Sequence, residues 1–287
     1  MLFLTAMRLF ACLDATAKYL SRTFPLPMLV WARYSFHCLL MVVFLAPTMG
    51  GRLVHTRRPW TQIGRALMLV ATTGFGIAAL KRMPLAETTA LVFVTPLMVT
   101  LLAIGLLGER VGKGKLIAIA AGFIGVLLIA RPGGVVPGAG LALALIAALS
   151  YSLYQILTRK IADSENAVTM VFYTALVGTA LTSIGLPWYW SGPAPSATEV
   201  LLIGSLGIYG GSGHFLLTRA FRLAPASTLS PFLYVQLIWA TLLGYGVFHH
   251  IPDTLAVAGM LVIATSGLAI ALGGRGGAAA AAPFPER

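Results

Sequence analysis

Met83-Pro84-Leu85-Ala86-Glu87-Thr88-Thr89-Ala90, followed by Pro96, Thr100, Leu101 and Leu102, returns in altered form about 140 residues later. The second copy reads Leu223-Ala224-Pro225-Ala226-Ser227-Thr228-Leu229-Ser230, followed by Gln236, Ala240, Thr241 and Leu242. Setting Ala86 on Ala226 also matches Thr88 to Thr228, Leu97 to Leu237 and Leu102 to Leu242, at about half the 287-residue length. Self-similarity at that spacing reads as a duplicated unit. Both copies lie in apolar sequence, so the unit is half of a membrane protein, a layout used by transporters.

Composition makes lipid the solvent for most of the chain. Hydrophobic residues are 58% and charged residues 10%, against roughly 25% charged in soluble domains. The net charge of +12 is strung along short connections and forms no basic face with interleaved aromatics, so nucleic acid is not an expected partner. Cys12 and Cys38 lie within apolar runs without CxxC or Cys/His spacing, and read as packing residues rather than a disulfide or metal site. Arg8, Asp14 and Lys18 interrupt the first apolar run, and neither a cationic leader nor a small-residue cleavage site flanks it. It is read as a membrane helix instead of a signal peptide, with a short native leader expected to precede it.

Turn residues and basic clusters divide the chain into ten lengths of roughly 20 residues, the span of a bilayer core. They fall near 1–20, 28–47, 61–81, 85–107, 113–131, 138–159, 167–187, 198–220, 226–248 and 253–272. Alternate connections carry thirteen Lys/Arg, among them Arg52, Arg57, Arg58, Arg65, Arg110, Arg275 and Arg287. The others carry five: Lys18, Arg22, Lys81, Arg82 and Arg131. The richer side is expected in the cytoplasm with both termini, and Trp188-Tyr189-Trp190 is expected as an outer interfacial anchor. Five spans per half is an odd number, so the halves, 1–132 and 137–272, insert in opposite directions. The fold class is therefore an all-α membrane protein of ten transmembrane helices in two inverted five-helix repeats, with a cavity near the midplane. The Gly/Ala/Pro-rich segment 273–287 is expected to be a disordered cytoplasmic tail.

Arg33, Ala79-Leu80, Met83-Pro84-Leu85-Ala86, Pro96 and Leu107-Gly108-Glu109-Arg110 resemble the EamA branch of the drug/metabolite transporter superfamily, up to about Leu272. The second half departs from that pattern, with Gln236 where Pro96 would repeat and His249-His250 in place of Glu109-Arg110. The resemblance implies movement of small metabolites across a bacterial inner membrane by alternating access. Within the branch, the chain is most similar to the YddG type of aromatic amino-acid exporter. Asp14-Ala15-Thr16-Ala17-Lys18 is also similar to relatives proposed to carry riboflavin or S-adenosylmethionine.

A charge at membrane depth costs at least about 2.5 kcal/mol, so each needs a partner or a wet cavity. Asp14 and Arg33 sit at similar depth and are expected to pair, with Lys18 and His37 one helical turn away on the same faces. That pair either fixes the first hairpin or takes part in gating. Glu87 is either a first-turn acid complementing the helix dipole near Lys81 and Arg82 or an outer-gate residue. Arg8 either snorkels to headgroups or attracts a substrate carboxylate in the cavity.

The second half supplies neutral polar groups and rings: Tyr151, Ser152, Tyr154, Gln155 and Thr158, then Tyr209, Ser212 and His214, then Ser227, Ser230, Tyr234, Gln236 and Trp239. Tyr151, Gln155 and Thr158 share a helix face. Such a wall suits a zwitterion with an apolar side chain, although each ring taken singly is also ordinary packing. Gly204, Gly207, Gly210, Gly211 and Gly213 leave one side of the eighth span open to close approach. Pro96 and Pro231 are either static kinks or hinges.

These residues lead to an exporter of aromatic and other apolar amino acids, working as a monomer. A riboflavin or S-adenosylmethionine carrier is the alternative. No cofactor, metal or catalytic residue is expected, since HExxH, P-loop, CxxC and GxSxG motifs are missing. A polytopic intramembrane enzyme is the reading from another class, and a small-molecule channel or receptor scaffold is a third.

Overall fold

The computed structural model describes residues 1–107, 112–131, 136–161, 164–190, 193–223 and 230–273. Among them the chain is helical throughout: α1 (Leu2–Leu20), α2 (Leu26–Met49), α3 (Pro59–Arg82), α4 (Leu85–Val92), α5 (Thr95–Leu107), α6 (Lys113–Ala130), α7 (Gly138–Ile161), α8 (Ala167–Tyr189), α9 (Ala197–Leu223), α10 (Val235–Phe248) and α11 (Thr254–Gly273). Short 3₁₀ turns cover Gly50–Leu53 and Ser230–Tyr234. Eight segments are long and apolar enough to cross a membrane, α4 and α5 counting as one. The remaining two expected spans are α1, which carries Arg8, Asp14 and Lys18, and the shorter run Phe232–Phe248 containing α10.

Helix ends follow from local chemistry. Pro59 stands in the first turn of α3, where its missing N–H costs nothing. Asn166 accepts from the Val168 amide to cap α8 at 2.8 Å. Ser196 and Glu199 form a capping box at the start of α9, the Glu199 carboxylate accepting from the Ser196 amide at 2.8 Å. His249, with φ +53°, ends α10 in the left-handed region.

The fourth span of the first half is broken, and the described part of its counterpart in the second half opens with a 3₁₀ turn. In the first half Phe93 and Val94 separate α4 from α5, with turn-type bonds from the Phe93 amide to the Ala90 carbonyl and from Val94 to Leu91. In the second, the 3₁₀ turn Ser230–Tyr234 leads into α10. α5 starts at Thr95 and α10 at Val235, the spacing of the sequence duplication. Pro96 thus sits in the first turn after its break, where Pro is tolerated. Pro231 lies within the 3₁₀ turn that precedes α10.

Helix pairing is two-sided. α1 packs along α9 and α10, and α7 packs along α3, α4 and α5; α2 meets α8 and α9, and α8 also meets α3; α6 pairs with α11 and α4 with α10. Small residues permit the closest crossings. A Cβ on Gly125 would stand 2.8 Å from the Gly259 carbonyl oxygen, and one on Gly207 would stand 2.7 Å from the His37 amide nitrogen. The glycine face of α9 is therefore used against α1 and α2, as its sequence anticipates.

Glu109 and Arg110, Ser227, Arg275, Arg287 and the tail expected to be disordered all lie outside the described residues. The side chains of Ser230 and Pro231 do too.

Candidate functional site

A cavity of about 200 Å³ lies between the two halves, lined from α1, α2, α3, the α4–α5 break, α7, α9 and the start of α10. Both fourth spans reach it, through Thr88, Thr95 and Pro96 on one side and Leu233 and Gln236 on the other. A helix break places irregular backbone beside the cavity, the position where such backbone is tolerated at membrane depth. The hydroxyl of Ser152 donates to the Thr95 carbonyl at 3.3 Å and to Ala148 at 2.7 Å, so Ser152 supports the break and does not face a substrate.

Asp14 and Arg33 both line this cavity, yet the expected ion pair is not formed. No nitrogen of Arg33 comes within 4.0 Å of the Asp14 carboxylate. Instead Gln236 Nε2 donates to Asp14 Oδ2 at 3.1 Å, across the halves. The Arg33 guanidinium lies 5.8 Å from the centre of the Tyr34 ring. The neutral amide of Gln236 tolerates the carboxylate beside it and leaves the two charges apart in one cavity.

Other expected residues separate into lining and support. Tyr151, Gln155 and His214 line the cavity. Tyr154 stacks on Tyr151 with centroids 5.7 Å apart but turns its hydroxyl to Arg65. Thr158 donates back to the Tyr154 carbonyl, removing it from the shared face. Tyr209 packs in an apolar cluster with α1 and α2. Tyr234 stands edge-on to Phe93, one layer behind the lining. His37 stacks against His214 at 6.3 Å. Arg8 is exposed and lies 5.8 Å from the Trp239 ring, a cation–π distance; neither residue is in the lining of this cavity.

Two further groups close the end of the bundle that carries the α1–α2 turn. Lys18 Nζ donates to the Leu80 and Met83 carbonyls at the end of α3, a helix C-terminus that favours a cation. Glu87 is fully buried and meets His250 Nε2 at 2.9 Å, linking α4 to the segment after α10. Lys81 and Arg82 are exposed and are not its partners. Further out, Arg131 bridges to Asp253 at 3.0 Å.

Arg65 overturns a different expectation. Counted among connecting residues by sequence, it is 1% exposed. Its guanidinium donates to Tyr154 Oη at 3.0 Å, to Gln62 Oε1 at 3.1 Å and to the Met170 carbonyl, tying α3 to α7 and α8. Sequence reading also missed Phe10, Thr72, Thr73 and Thr88 in the lining. Phe10 stands one helical turn from Asp14, which was the available signal; the adjacent threonines Thr72-Thr73 and Thr88-Thr89 carried no charge to mark them out.

The EamA-like transporter family model matches residues 1–131 and again 138–272. An S-adenosylmethionine uptake transporter of Rickettsia prowazekii is 27% identical, the match covering 87% of this chain and 84% of that one. A riboflavin transporter of Vibrio cholerae is 27% identical over 92% of this chain and 89% of its own length. One from Rhizobium johnstonii is 26% identical over 91% and 86%. A solved crystal structure shares the fold, with a TM-score of 0.67 over 94% of both chains at 22% identity.

Proposed function

We propose, from the premise that this multi-pass membrane chain belongs to the EamA-like transporter family, that it carries a small zwitterionic metabolite with an aromatic or heteroaromatic portion, of the S-adenosylmethionine type. One observation carries the reading: Asp14 and Arg33 line a single cavity without neutralising each other. A carboxylate and an ammonium on one α-carbon would meet Arg33 and Asp14, while Phe10, Phe93 and Tyr151 offer ring surfaces to the remainder. The S-adenosylmethionine relatives support this choice, and the riboflavin relatives support a ring-bearing substrate without the zwitterionic head. Aromatic amino acids share the head, but none of the relatives described above is named for them.

The cavity is smaller than the usual ligand pocket of roughly 300 to 1,000 Å³. A nucleoside-sized substrate therefore enters only when the halves part, whereas an amino acid would need less movement. Alternating access supplies that parting, with the α4–α5 break and the 3₁₀ turn before α10 as its hinges and the Glu87–His250 and Lys18 contacts as the closure of one end. The two-sided helix pairing supports inverted repeats within 1–132 and 137–272. Removing buried Arg65 from the basic count leaves the imbalance that favours cytoplasmic termini in a bacterial inner membrane. One chain supplies the whole lining, consistent with a working monomer.

Counterflow in proteoliposomes, with labelled S-adenosylmethionine, riboflavin and phenylalanine in parallel, tests the assignment. Saturable exchange of S-adenosylmethionine at least roughly ten-fold faster than of riboflavin is expected, as a site built for charged groups rejects a ligand lacking them. Exchange of riboflavin alone would remove the zwitterion reading. Phenylalanine exchange without S-adenosylmethionine exchange would restore the amino-acid one.

A further inference from the structure

A second pair of cavities lies on the other side of α2, away from the central one. At the end of the bundle nearest the amino terminus, a cleft of about 610 Å³ is bounded by the end of α2, the α2–α3 connection and the α7–α8 connection. Arg52, His55 and Arg57 line it, and all three are exposed. Glu165 is the carboxylate in its wall, and its Oε1 already accepts the Arg57 and Arg58 amides at 2.8 and 3.1 Å. Among the described lining residues, the cleft therefore presents cations in excess.

Deeper along the same seam, a cavity of about 360 Å³ is lined mainly by apolar groups, among them Leu40, Phe44, Leu45, Val168 and Val171. The two follow one another along the helices: Leu45 lines one and Thr48 the other on α2, and Val168 and Thr169 divide likewise on α8. From His37 to Thr48 the groove follows eleven residues of helix, about 16 Å at 1.5 Å per residue. That is close to half of a hydrocarbon core roughly 30 Å thick. Trp60, 84% exposed in the first turn of α3, marks headgroup level at the wider end.

We infer that the α2–α8 seam binds an anionic phospholipid, its phosphate held by Arg52 and Arg57 and one acyl chain lying in the apolar groove toward His37. The polar-to-apolar order, the length and the surplus of cations match one lipid leaflet. This site is separate from the substrate cavity and does not depend on which metabolite is carried.

The test uses the full chain, delipidated in a neutral detergent. Phosphatidylglycerol, phosphatidylcholine of the same acyl composition, and inorganic phosphate are each titrated while thermal unfolding is followed. Phosphatidylglycerol is expected to raise Tm well beyond phosphatidylcholine, and phosphate to leave it unchanged. The double variant Arg52→Ala/Arg57→Ala, altered only at exposed positions, is expected to bind phosphatidylglycerol roughly 30-fold more weakly, from about 1 kcal/mol per cation. Lys81→Ala, an exposed cation at the opposite end, keeps the wild-type response. Equal shifts from both lipids, a shift from phosphate matching that from phosphatidylglycerol, or an unaltered double variant would each overturn the inference.

Discussion

Arg33 and Arg65 both stand within membrane-spanning helices, and the protein uses them in opposite ways. Arg65 is sealed from solvent, and its guanidinium bonds a side-chain amide, a phenol and a backbone carbonyl. Arg33 is half-buried, lines the central cavity and meets Asp14 only through space, while Gln236 takes the hydrogen bond to that carboxylate. A buried charge whose two terminal nitrogens are held by neutral dipoles of three helices is a structural strut. A charge left with donor capacity beside a cavity is the kind of group the proposed substrate carboxylate would meet.

The largest expected effect comes from breaking the strut. Arg65→Ala leaves the Tyr154 hydroxyl and the Gln62 oxygen without their donor and opens a void, so about 3 kcal/mol or more of stability is lost. Thermal unfolding and folded yield in detergent measure this. Arg65→Lys does not restore them, because an ammonium cannot reproduce the fork geometry. A stable, active Arg65→Ala would erase the distinction between the two arginines.

Arg33→Gln is expected to do the converse. Tm stays near the wild-type value, while transport falls roughly ten-fold, the worth of a charge-assisted hydrogen bond of about 1.5 kcal/mol. Initial rates in proteoliposomes, read beside the unfolding curve, separate the two outcomes.

The Glu87–His250 contact tests whether closure of one end is coupled across the halves. Glu87→Gln and His250→Ala are each expected to change transport roughly five-fold, for about 1 kcal/mol. The double variant should be no worse than either alone. Additive losses in that cycle would mean that the groups act separately.

The smallest effect lies outside the membrane, at Asp253. The Ala256 amide draws its carboxyl below the ordinary carboxylate range, helped by Arg131 and the Leu255 amide. A depressed value gives stabilisation that is present above the unfolded-chain pKa and lost as pH falls through the lowered one. Wild-type Tm should therefore drop slightly at acid pH, and Asp253→Asn should flatten that part of the profile.

Sequence alone made eight of the expected spans legible among the described residues, because each is an apolar run of bilayer length ended by Pro, Gly or charge. It also placed Pro96 beside the break between α4 and α5. What it misread were side chains whose partners come from distant helices. Arg65 sits near the start of its helix and looked solvated; its Tyr154 and Met170 partners are 89 and 105 residues away. Glu87 had nearby cations in sequence, yet its partner is 163 residues on. Asp14 and Arg33 looked paired by depth, a coordinate that ignores rotation about the helix axis. Depth is set by hydropathy, but the facing direction is set by packing.

The central claim, that Arg33 holds a substrate carboxylate, is tested most directly by competition. Inhibition of labelled S-adenosylmethionine counterflow by unlabelled S-adenosylmethionine and by its decarboxylated form is compared in wild type and Arg33→Gln. The wild type is expected to prefer the carboxylated form by roughly ten-fold, and the variant to bind the two alike. An undiminished preference in Arg33→Gln would contradict the claim.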